Sequence, residues 1–202
     1  MGVKERKERE QEKLRQKILD AASELFAREG YQNVSMRKIA RRIEYSPTTI
    51  YLYFKDKADL LYQICEETFA NLIKEIEKIE TTFYEPIICL RKGMRAYIDF
   101  GLKYPNHYEV TFIAPLSDYL GEQHSYEGSS GQKAFEHIVQ QVSESMKACQ
   151  IKRGDVNTIS QTLWAGIHGV TSLLIAHEDF PFVEKDELID NTIDTLIKGL
   201  QH

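Results

Sequence analysis

The sequence predicts an all-α fold of about nine helices, with an N-terminal three-helix domain containing a helix-turn-helix and a larger C-terminal helical domain. Apolar residues recur at three- and four-residue spacing through most of the 202 residues, which is the period of a helix with one buried face. Prolines, glycines and N-cap residues interrupt this pattern where one helix ends and the next begins. No segment alternates apolar and polar residues over a useful length, so we expect no β-sheet.

The first helix begins clearly at Leu14, because Leu14, Ile18 and Leu25 fall on one face, and it ends before Gly30. Residues 4–13 alternate basic and acidic side chains without an apolar face. We interpret them either as a solubilising tail or as an exposed extension of the first helix whose basic side chains reach phosphates. The sequence alone leaves both interpretations open.

Two short helices joined by a tight turn are predicted between Ser35 and Lys57. Ser35 is a good N-cap residue, and Ser46-Pro47 begins the second helix with a capping serine and a proline at the first helical position. The outward side chains are bases, hydroxyls and phenols, which are the groups that contact phosphates and base edges. A helix-turn-helix with its second helix in the DNA major groove shows this pattern. So do two amphipathic helices with a solvated basic face.

We predict that seven side chains contact duplex DNA. Thr48 and Thr49 should meet base edges, and phosphates should be held by Ser35, Arg37, Tyr51, Tyr53 and Lys57. The charge distribution agrees, because residues 1–57 carry 14 Lys and Arg against 9 Asp and Glu, a net charge of +5. The remaining residues carry 12 and 22, a net charge of -10, so the basic end should face DNA and the acidic end should point away.

A long fourth helix is predicted from Lys57 to about Ile79, with Asp56 as its N-cap. It is too long to belong only to the helix-turn-helix, so we place the boundary within it, giving domains of residues 1–65 and 66–202. Pro86 and Pro105 begin the fifth and sixth helices. Residues 116–131 are polar and glycine-rich and indicate a mobile loop, and a seventh helix should follow from about Gln132 to Cys149.

The last two helices are predicted over Asp155–Ala176 and Asp186–Leu200. The first of them carries a stripe of small residues that includes Gly166 and Gly169. A glycine inside a helix costs about 1 kcal/mol relative to alanine, so the stripe favours a site where another helix approaches closely. We predict a two-fold homodimer through these two helices, reading a palindromic operator.

The run PTTIYLYFKDKADLL, which starts at Pro47, resembles the DNA-binding domain of the tetracycline-repressor (TetR) family. Tyr51, Phe54 and Lys57 match the family's Tyr-x-x-Phe-x-x-Lys pattern position for position, and the similarity covers roughly residues 10–65. The segment WAGIHG, from Trp164 to Gly169, is similar to a Trp-x-x-x-His-Gly signature in one subset of the family's C-terminal domains. The opening Pro47-Thr48-Thr49 departs from the small residue frequent before the family's Tyr, so no base preference carries over.

The resemblance implies a ligand-responsive transcriptional regulator, specifically a repressor that a small hydrophobic effector releases from its operator. It also implies that the effector enters the C-terminal domain, against aromatic walls with one polar contact, His168. The implied wall residues are Tyr97, Phe100, Tyr104, Tyr108, Phe112 and Trp164. Without such a ligand, the aromatic residues would be plain core, and His168 would be a core histidine bonded to a carbonyl or, less simply, a metal ligand.

Motifs for enzyme chemistry are missing from the sequence. There is no Gly-rich phosphate loop, no Gly-x-Ser-x-Gly and no His-Glu-x-x-His, so we predict no catalytic residues, no metal and no cofactor. The alternative is an all-helical enzyme or adaptor whose helix-turn-helix is incidental, for example a hydrolase built from His168 with Asp99 or Glu109.

The sequence also predicts a cytoplasmic protein without a membrane partner. No apolar run approaches the ~20 residues of a membrane span. The charged N-terminus lacks the apolar segment of a secretory signal. Cys65, Cys89 and Cys149 are odd in number and far apart, which favours free buried thiols over disulfides or a zinc site.

Overall fold

The computed structural model describes residues 2–120 and 126–201 and confirms the all-α fold. Within these ranges nine α-helices are present and no strand. Their bounds are α1 Val3–Glu29, α2 Met36–Arg42, α3 Pro47–Tyr51, α4 Lys57–Thr82, α5 Pro86–Lys103, α6 Pro105–Tyr108, α7 Ser130–Lys147, α8 Val156–Ala176 and α9 Lys185–Leu200. Short 3₁₀ turns span Tyr31–Asn33 and Leu116–Asp118, and a π-helical turn spans Glu109–Ile113.

Helix α1 begins at Val3, well before Leu14, so the charged residues 4–13 are an extension of the first helix. Ion pairs one turn apart accompany this extension, with Arg6 Nε 2.9 Å from Glu10 Oε1 and Lys4 Nζ 4.0 Å from Glu8 Oε1. Such pairs contribute a few tenths of a kcal/mol each, which is enough to favour a helix that is already nucleated. Apolar periodicity could not reveal this segment because it has no buried face.

The contacts divide the chain into two units, Met1–Thr68 with Asn106–Ser125, and Phe69–Pro105 with Tyr126–His202. Helix α4 therefore contributes residues to both units. The segment after Pro105, which we expected in the C-terminal domain, belongs to the first unit because Val110 is only 2% exposed in that unit's core. The proposed boundary after residue 65 stays a prediction.

The first half of the expected loop is also packed rather than open. Leu116, Tyr119 and Leu120 contact the core of the first unit, and the Tyr119 ring stacks on Tyr31 with centroids 4.4 Å apart. Residues 121–125 lie outside the described residues, and α7 begins at Ser130, slightly before the predicted Gln132. The apolar residues Leu116, Tyr119 and Leu120 therefore indicate packing against a core, although the segment as a whole is polar.

The core of the first unit forms where α1, α2, α3 and α4 meet. Its completely buried side chains include Ile18, Leu19, Ala22, Ile39, Ile50, Leu60 and Ile64. Both short helices begin as predicted, since Ser35 Oγ accepts the N–H of Lys38 and Ser46 Oγ accepts the N–H of Thr49. These caps supply acceptors for N–H groups that have no partner within their own helix.

Helix α2 ends in a Schellman turn that sets the angle to α3. The Tyr45 N–H donates to the Ala40 carbonyl at 2.9 Å and the Glu44 N–H to the Arg41 carbonyl at 3.2 Å. Glu44 occupies the left-handed position with φ of 64°, where glycine is usual. A side chain in this conformation costs about 1 kcal/mol, so this turn is strained.

The second unit is built around α5, which packs against α7, α8 and α9, while α8 contacts α7 and α9. Its buried side chains include Ile98, Val142, Leu163, Ile167, Ile189 and Ile193. Ion pairs join the outer faces of α5 and α9, from Arg91 to Asp194 and from Arg95 to Asp186 and Asp190. The sequence predicted the apolar faces but not this ionic seam.

The three cysteines are free thiols, but only Cys65 and Cys89 are buried, and Cys149 is exposed, against expectation. Burial raises the pKa of Cys65 to about 12, so this thiol stays protonated near neutral pH. Among the described residues, no three His, Cys, Asp or Glu side chains are placed to hold a metal ion. No helix in the described ranges is both long and apolar enough to span a bilayer.

Candidate nucleic-acid interface and effector site

Helix α3 presents one buried and one open side. Ile50 is completely buried, whereas Thr48 is exposed and Tyr51 is 53% exposed. Of the other residues predicted to contact DNA, Ser35 and Arg37 are exposed, while half-buried positions are occupied by Thr49, Tyr53 and Lys57. The predicted residues therefore lie on α2, on α3, at the start of α4 or within two residues of these helices, all in the first unit.

Hydroxyl groups at the two helix starts already have partners in the protein. Ser35 Oγ accepts the Lys38 N–H at 3.2 Å, which leaves its own O–H able to donate to a phosphate. Thr49 Oγ1 lies 2.9 Å from Ser46 Oγ, so its hydroxyl is shared with the cap. Thr48 is the more open of the two predicted base-edge residues.

Lys57 has a structural role that the sequence did not predict. Its ammonium donates to the Tyr31 carbonyl at 2.8 Å and the Val34 carbonyl at 2.9 Å, and it lies 4.0 Å from the centre of the Tyr31 ring. Burial lowers the pKa of Lys57. An ammonium has three N–H groups, so after these two bonds one remains for the predicted phosphate contact.

The basic side chains of this surface fall into two classes. Arg42 donates twice to the Glu24 carboxylate at 2.9 Å, and Lys38 pairs with Glu29. Hydrogen bonds to Arg42 and then charge attraction lower the pKa of Glu24. Arg37, Arg41 and Lys55 are exposed and form no ion pair within the described part of the chain. Their charges are the most available for DNA phosphates.

The aromatic residues predicted as effector walls are divided between the two units. Tyr108 and Phe112 belong to the first unit, where their rings stack at 4.8 Å. Phe100 and Tyr104 line a groove of about 770 Å³ in the second unit, between α4 and α5. That groove is also lined by the charged residues Lys74, Glu75, Glu77, Lys78, Asp99 and Lys103. The predicted single pocket therefore stays a prediction.

Tyr97, Trp164 and His168 do come together in the second unit. The Trp164 indole N–H donates to Tyr97 Oη at 3.2 Å, and Tyr97 Oη lies 3.2 Å from His168 Nδ1. On the other side of the imidazole, Nε2 lies 3.4 Å from Ser172 Oγ. Trp164 is 39% exposed and Tyr97 is buried, so this polar relay leads from the surface into the unit.

The direction of the relay follows from donor and acceptor chemistry. An indole N–H can only donate, so Tyr97 accepts from Trp164. Tyr97 O–H can then donate to Nδ1 of a neutral ring that carries its proton on Nε2, facing Ser172. Burial lowers the pKa of His168, which agrees with a neutral ring. His168 thus contacts the side chains of Tyr97 and Ser172 within hydrogen-bonding distance.

Two family profiles match this chain. Residues 18–64 match the bacterial regulatory proteins of the tetR family, and residues 90–196 match the tetracyclin repressor-like C-terminal domain. The second match alone covers more than half of the 202 residues. The chain belongs to the TetR family. It is thus a transcriptional regulator with the helix-turn-helix seen in α2 and α3, and its α5 to α9 region is that family's C-terminal domain.

Curated relatives of this TetR-family chain are described as HTH-type transcriptional regulators from Staphylococcus aureus. One, from strain bovine RF122 / ET3-1, is 29% identical over 86 residues, which are 43% of this chain and 46% of the relative, so the match spans about half of that relative. Another, from strain USA300, is 24% identical over 157 residues, 71% of this chain and 85% of the relative. The Trp-x-x-x-His-Gly subset stays a prediction.

Solved structures share the fold over nearly the whole chain. The regulator FadR from Bacillus subtilis, in complex with stearoyl-CoA, has a TM-score of 0.75 at 22% identity over 92% of this chain and 99% of that one. AibR, in complex with isovaleryl coenzyme A and operator DNA, has a TM-score of 0.76 at 16% identity over 91% and 97%. At these identities the likeness shows the fold.

The relay predicts an acid-sensitive contribution to stability. An unfolded histidine takes up a proton near pH 6.5, about its unperturbed pKa, whereas folded His168 does so only at lower pH. The free energy of unfolding should therefore fall as the pH drops below about 6.5. We expect His168→Gln, which cannot titrate, to lose less stability between pH about 7.5 and about 5.5 than the wild type.

Urea unfolding at both pH values measures this difference, and nitrogen NMR of the imidazole identifies the neutral ring with its proton on Nε2. Tyr97→Phe is the matched control, because it removes the hydroxyl that contacts Nδ1 and Trp164 but keeps a titrating His168, so its stability should still depend on pH. Equal pH dependence in the wild type and His168→Gln would contradict the assignment of a neutral, buried His168.

Proposed function

We propose that this protein is a ligand-responsive repressor that binds a palindromic operator as a homodimer and is released by a small hydrophobic effector. The observation that carries the proposal is the surface of α2 and α3, where exposed bases, hydroxyls and phenols surround a capped, strongly anchored reading helix. In a TetR-family chain such a surface fits the DNA major groove.

Binding should begin with phosphate contacts and gain sequence preference from α3. Arg37, Arg41 and Lys55 supply charge that no ion pair among the described residues compensates, and each phosphate contact adds about 0.9 to the slope of log affinity against log salt. Thr48 and Thr49 face outward at the N-terminal end of α3, the end whose side chains meet base edges in helix-turn-helix proteins. Specificity is therefore assigned to α3 and general affinity to α2 and its flanks.

We expect Arg37→Ala to weaken binding to operator and unrelated DNA similarly and to lower the salt slope by about 0.9. Lys57→Ala should lower the slope by the same amount and also destabilise the fold by about 1–3 kcal/mol, because it removes a charged donor from the Val34 carbonyl and one of two donors from the Tyr31 carbonyl. Thr49→Ala should instead change which bases are preferred. Fluorescence anisotropy across a salt series, with thermal melting, separates the three effects.

Arg42→Ala is the matched control for Arg37→Ala, because the Arg42 charge is already compensated by Glu24. Its salt slope should change less. A slope that is unchanged in both Arg37→Ala and Lys57→Ala would show that the phosphate contacts are placed wrongly.

The homodimer proposal is supported by the outward face of α8. Leu173 is 49% exposed there, beside the exposed Ala165 and the half-buried Gly169. Apart from its chain neighbours and nearby helix backbone, a Cβ added at Gly169 would meet no atom of the described residues within 4 Å, whereas a Cβ added at Gly166 would meet Leu196 of α9 at 2.6 Å. The small stripe therefore serves two helix contacts, one within the chain at Gly166 and one available to a partner at Gly169.

We expect Gly169→Leu to overpack the interface and produce monomers at micromolar concentration while the protomer stays folded. Gly169→Ala should keep the dimer and gain up to about 1 kcal/mol of helix stability. Gly166→Ala should instead displace the Leu196 side chain within the protomer. Light scattering and circular dichroism distinguish these outcomes, and a wild-type protein that is monomeric at the same concentration would contradict the homodimer.

For the effector, we propose an acyl compound bound in the second unit, with Trp164 and His168 at its polar end. Two structures of similar fold are complexes with acyl coenzyme A thioesters. The net charge of -10 on residues 58–202 opposes a polyanionic coenzyme A group, so the acyl chain has to supply most of the affinity. Helix α4 contributes residues to both units, which makes it the proposed lever between effector and DNA.

Release of DNA must be reciprocal with binding of effector. A tenfold loss of operator affinity corresponds to about 1.4 kcal/mol of coupling, and operator must weaken effector binding by the same factor. We would titrate isovaleryl-CoA, stearoyl-CoA and uncharged hydrophobic compounds with and without operator, using free coenzyme A as the control. A compound that binds equally in both titrations is not an inducer, and failure of all of them would remove the acyl proposal.

A further inference from the structure

Leu52 is an exposed apolar side chain of the helix-turn-helix to which the sequence analysis assigned no DNA contact. It is 79% exposed, which is more than Tyr45 at 43% or Tyr51 at 53% on the same surface. Its neighbour Ile50 is completely buried and supplies the core contact of α3. Leu52 therefore plays little part in holding α3 in place.

The backbone places Leu52 on the same face as the predicted base-edge residues. Leu52 is the C-cap of α3 and keeps right-handed helical angles, with φ of -73° and ψ of -20°. It follows Thr48 by four residues and Thr49 by three, which are the spacings of neighbours on one helix face. Helical side chains lean toward the N-terminus, so the leucine lies over the turn that carries both threonines.

We propose that Leu52 reads a thymine in the operator through apolar contact with its C5-methyl group. The inference rests on the proposed DNA-binding function and extends it to one further specificity residue. In the major groove only thymine presents a methyl group, while the other base edges present hydrogen-bonding atoms that leucine cannot use. Phosphate oxygens gain nothing from a leucine, so a base methyl is the partner that its chemistry fits.

Thr48 and Leu52 are suited to contact different kinds of groups on the bases. Each threonine has a hydroxyl and a methyl, but the Thr49 hydroxyl is shared with Ser46 at 2.9 Å. Thr48 then supplies the polar contact, and Leu52 supplies the larger apolar surface one turn further along. The α3 surface would thus read hydrogen-bonding and methyl groups at neighbouring base pairs.

The test is a double-mutant cycle between the leucine and the thymine methyl. A duplex selected from a random library by the wild-type protein is synthesised with deoxyuridine replacing each thymidine in turn, which removes only the methyl group. At one position per half-site the wild type should lose about fourfold in affinity, the value for removing one buried methyl group. Leu52→Ala should lose affinity for the thymidine duplex and should not distinguish the two duplexes.

Two controls separate binding from folding. Leu52→Ala should melt at the wild-type temperature, because a side chain this exposed contributes little to stability. Tyr84→Ala, which removes a 93% exposed aromatic side chain from the second unit, should keep full sensitivity to deoxyuridine.

The outcomes distinguish this inference from the function on which it rests. If the wild type selects no sequence, the operator function fails and the Leu52 assignment with it. If it selects a sequence but no deoxyuridine position affects it, or Leu52→Ala remains equally sensitive, DNA binding stands and the assignment of Leu52 is overturned.

Discussion

In the first unit, which contains the helix-turn-helix, a single ammonium group fixes the position of α2 relative to α4. Lys57, at the start of α4, bonds the carbonyls of Tyr31 and Val34, which belong to the connection between α1 and α2. The Tyr31 ring contacts that ammonium and also stacks on the Tyr119 ring. Three separate parts of the chain therefore meet at one charge, and the start of α2 is fixed relative to α4. Because charged donors make hydrogen bonds stronger than neutral ones, this contact is well suited to orient so short a helix pair.

Local chemistry explains what could be predicted from the sequence. The caps at Ser35 and Ser46 depend on residues within one helical turn, and so do the buried faces of the long helices. The TetR resemblance likewise rests on residues that are close together in the sequence. Lys57 shows where that reasoning ends, because its carbonyl partners lie far away along the chain. The same holds for residues 106–120, whose place in the first unit depends on Val110 meeting a core made by other helices. Leu52 was within reach of sequence reasoning, since its spacing from Thr48 already implied a shared face.

The second unit combines rigid and adaptable parts. Ion pairs between α5 and α9 and the close contact of Gly166 with Leu196 fix the outer helices. By contrast, the relay from Trp164 through Tyr97 to His168 is polar and partly open, and a polar network of this kind changes its energy when one partner is replaced. A molecule that offered its own donor or acceptor to Trp164 or His168 would compete with Tyr97. This is a means by which a small ligand could alter side-chain positions without disturbing the apolar core.

The divided first unit has a consequence for how the protein is made. A ribosome releases residues 1–68 before the segment that completes their core, and the whole of α5 is synthesised in between. Until Val110, Leu116 and Tyr119 have been synthesised, apolar surface of the first unit remains uncovered. We therefore expect the core of the first unit to be completed only after this segment has been synthesised, and the incomplete chain to be exposed to chaperones and to aggregation until then. An excised N-terminal fragment would remain permanently in that unfinished condition.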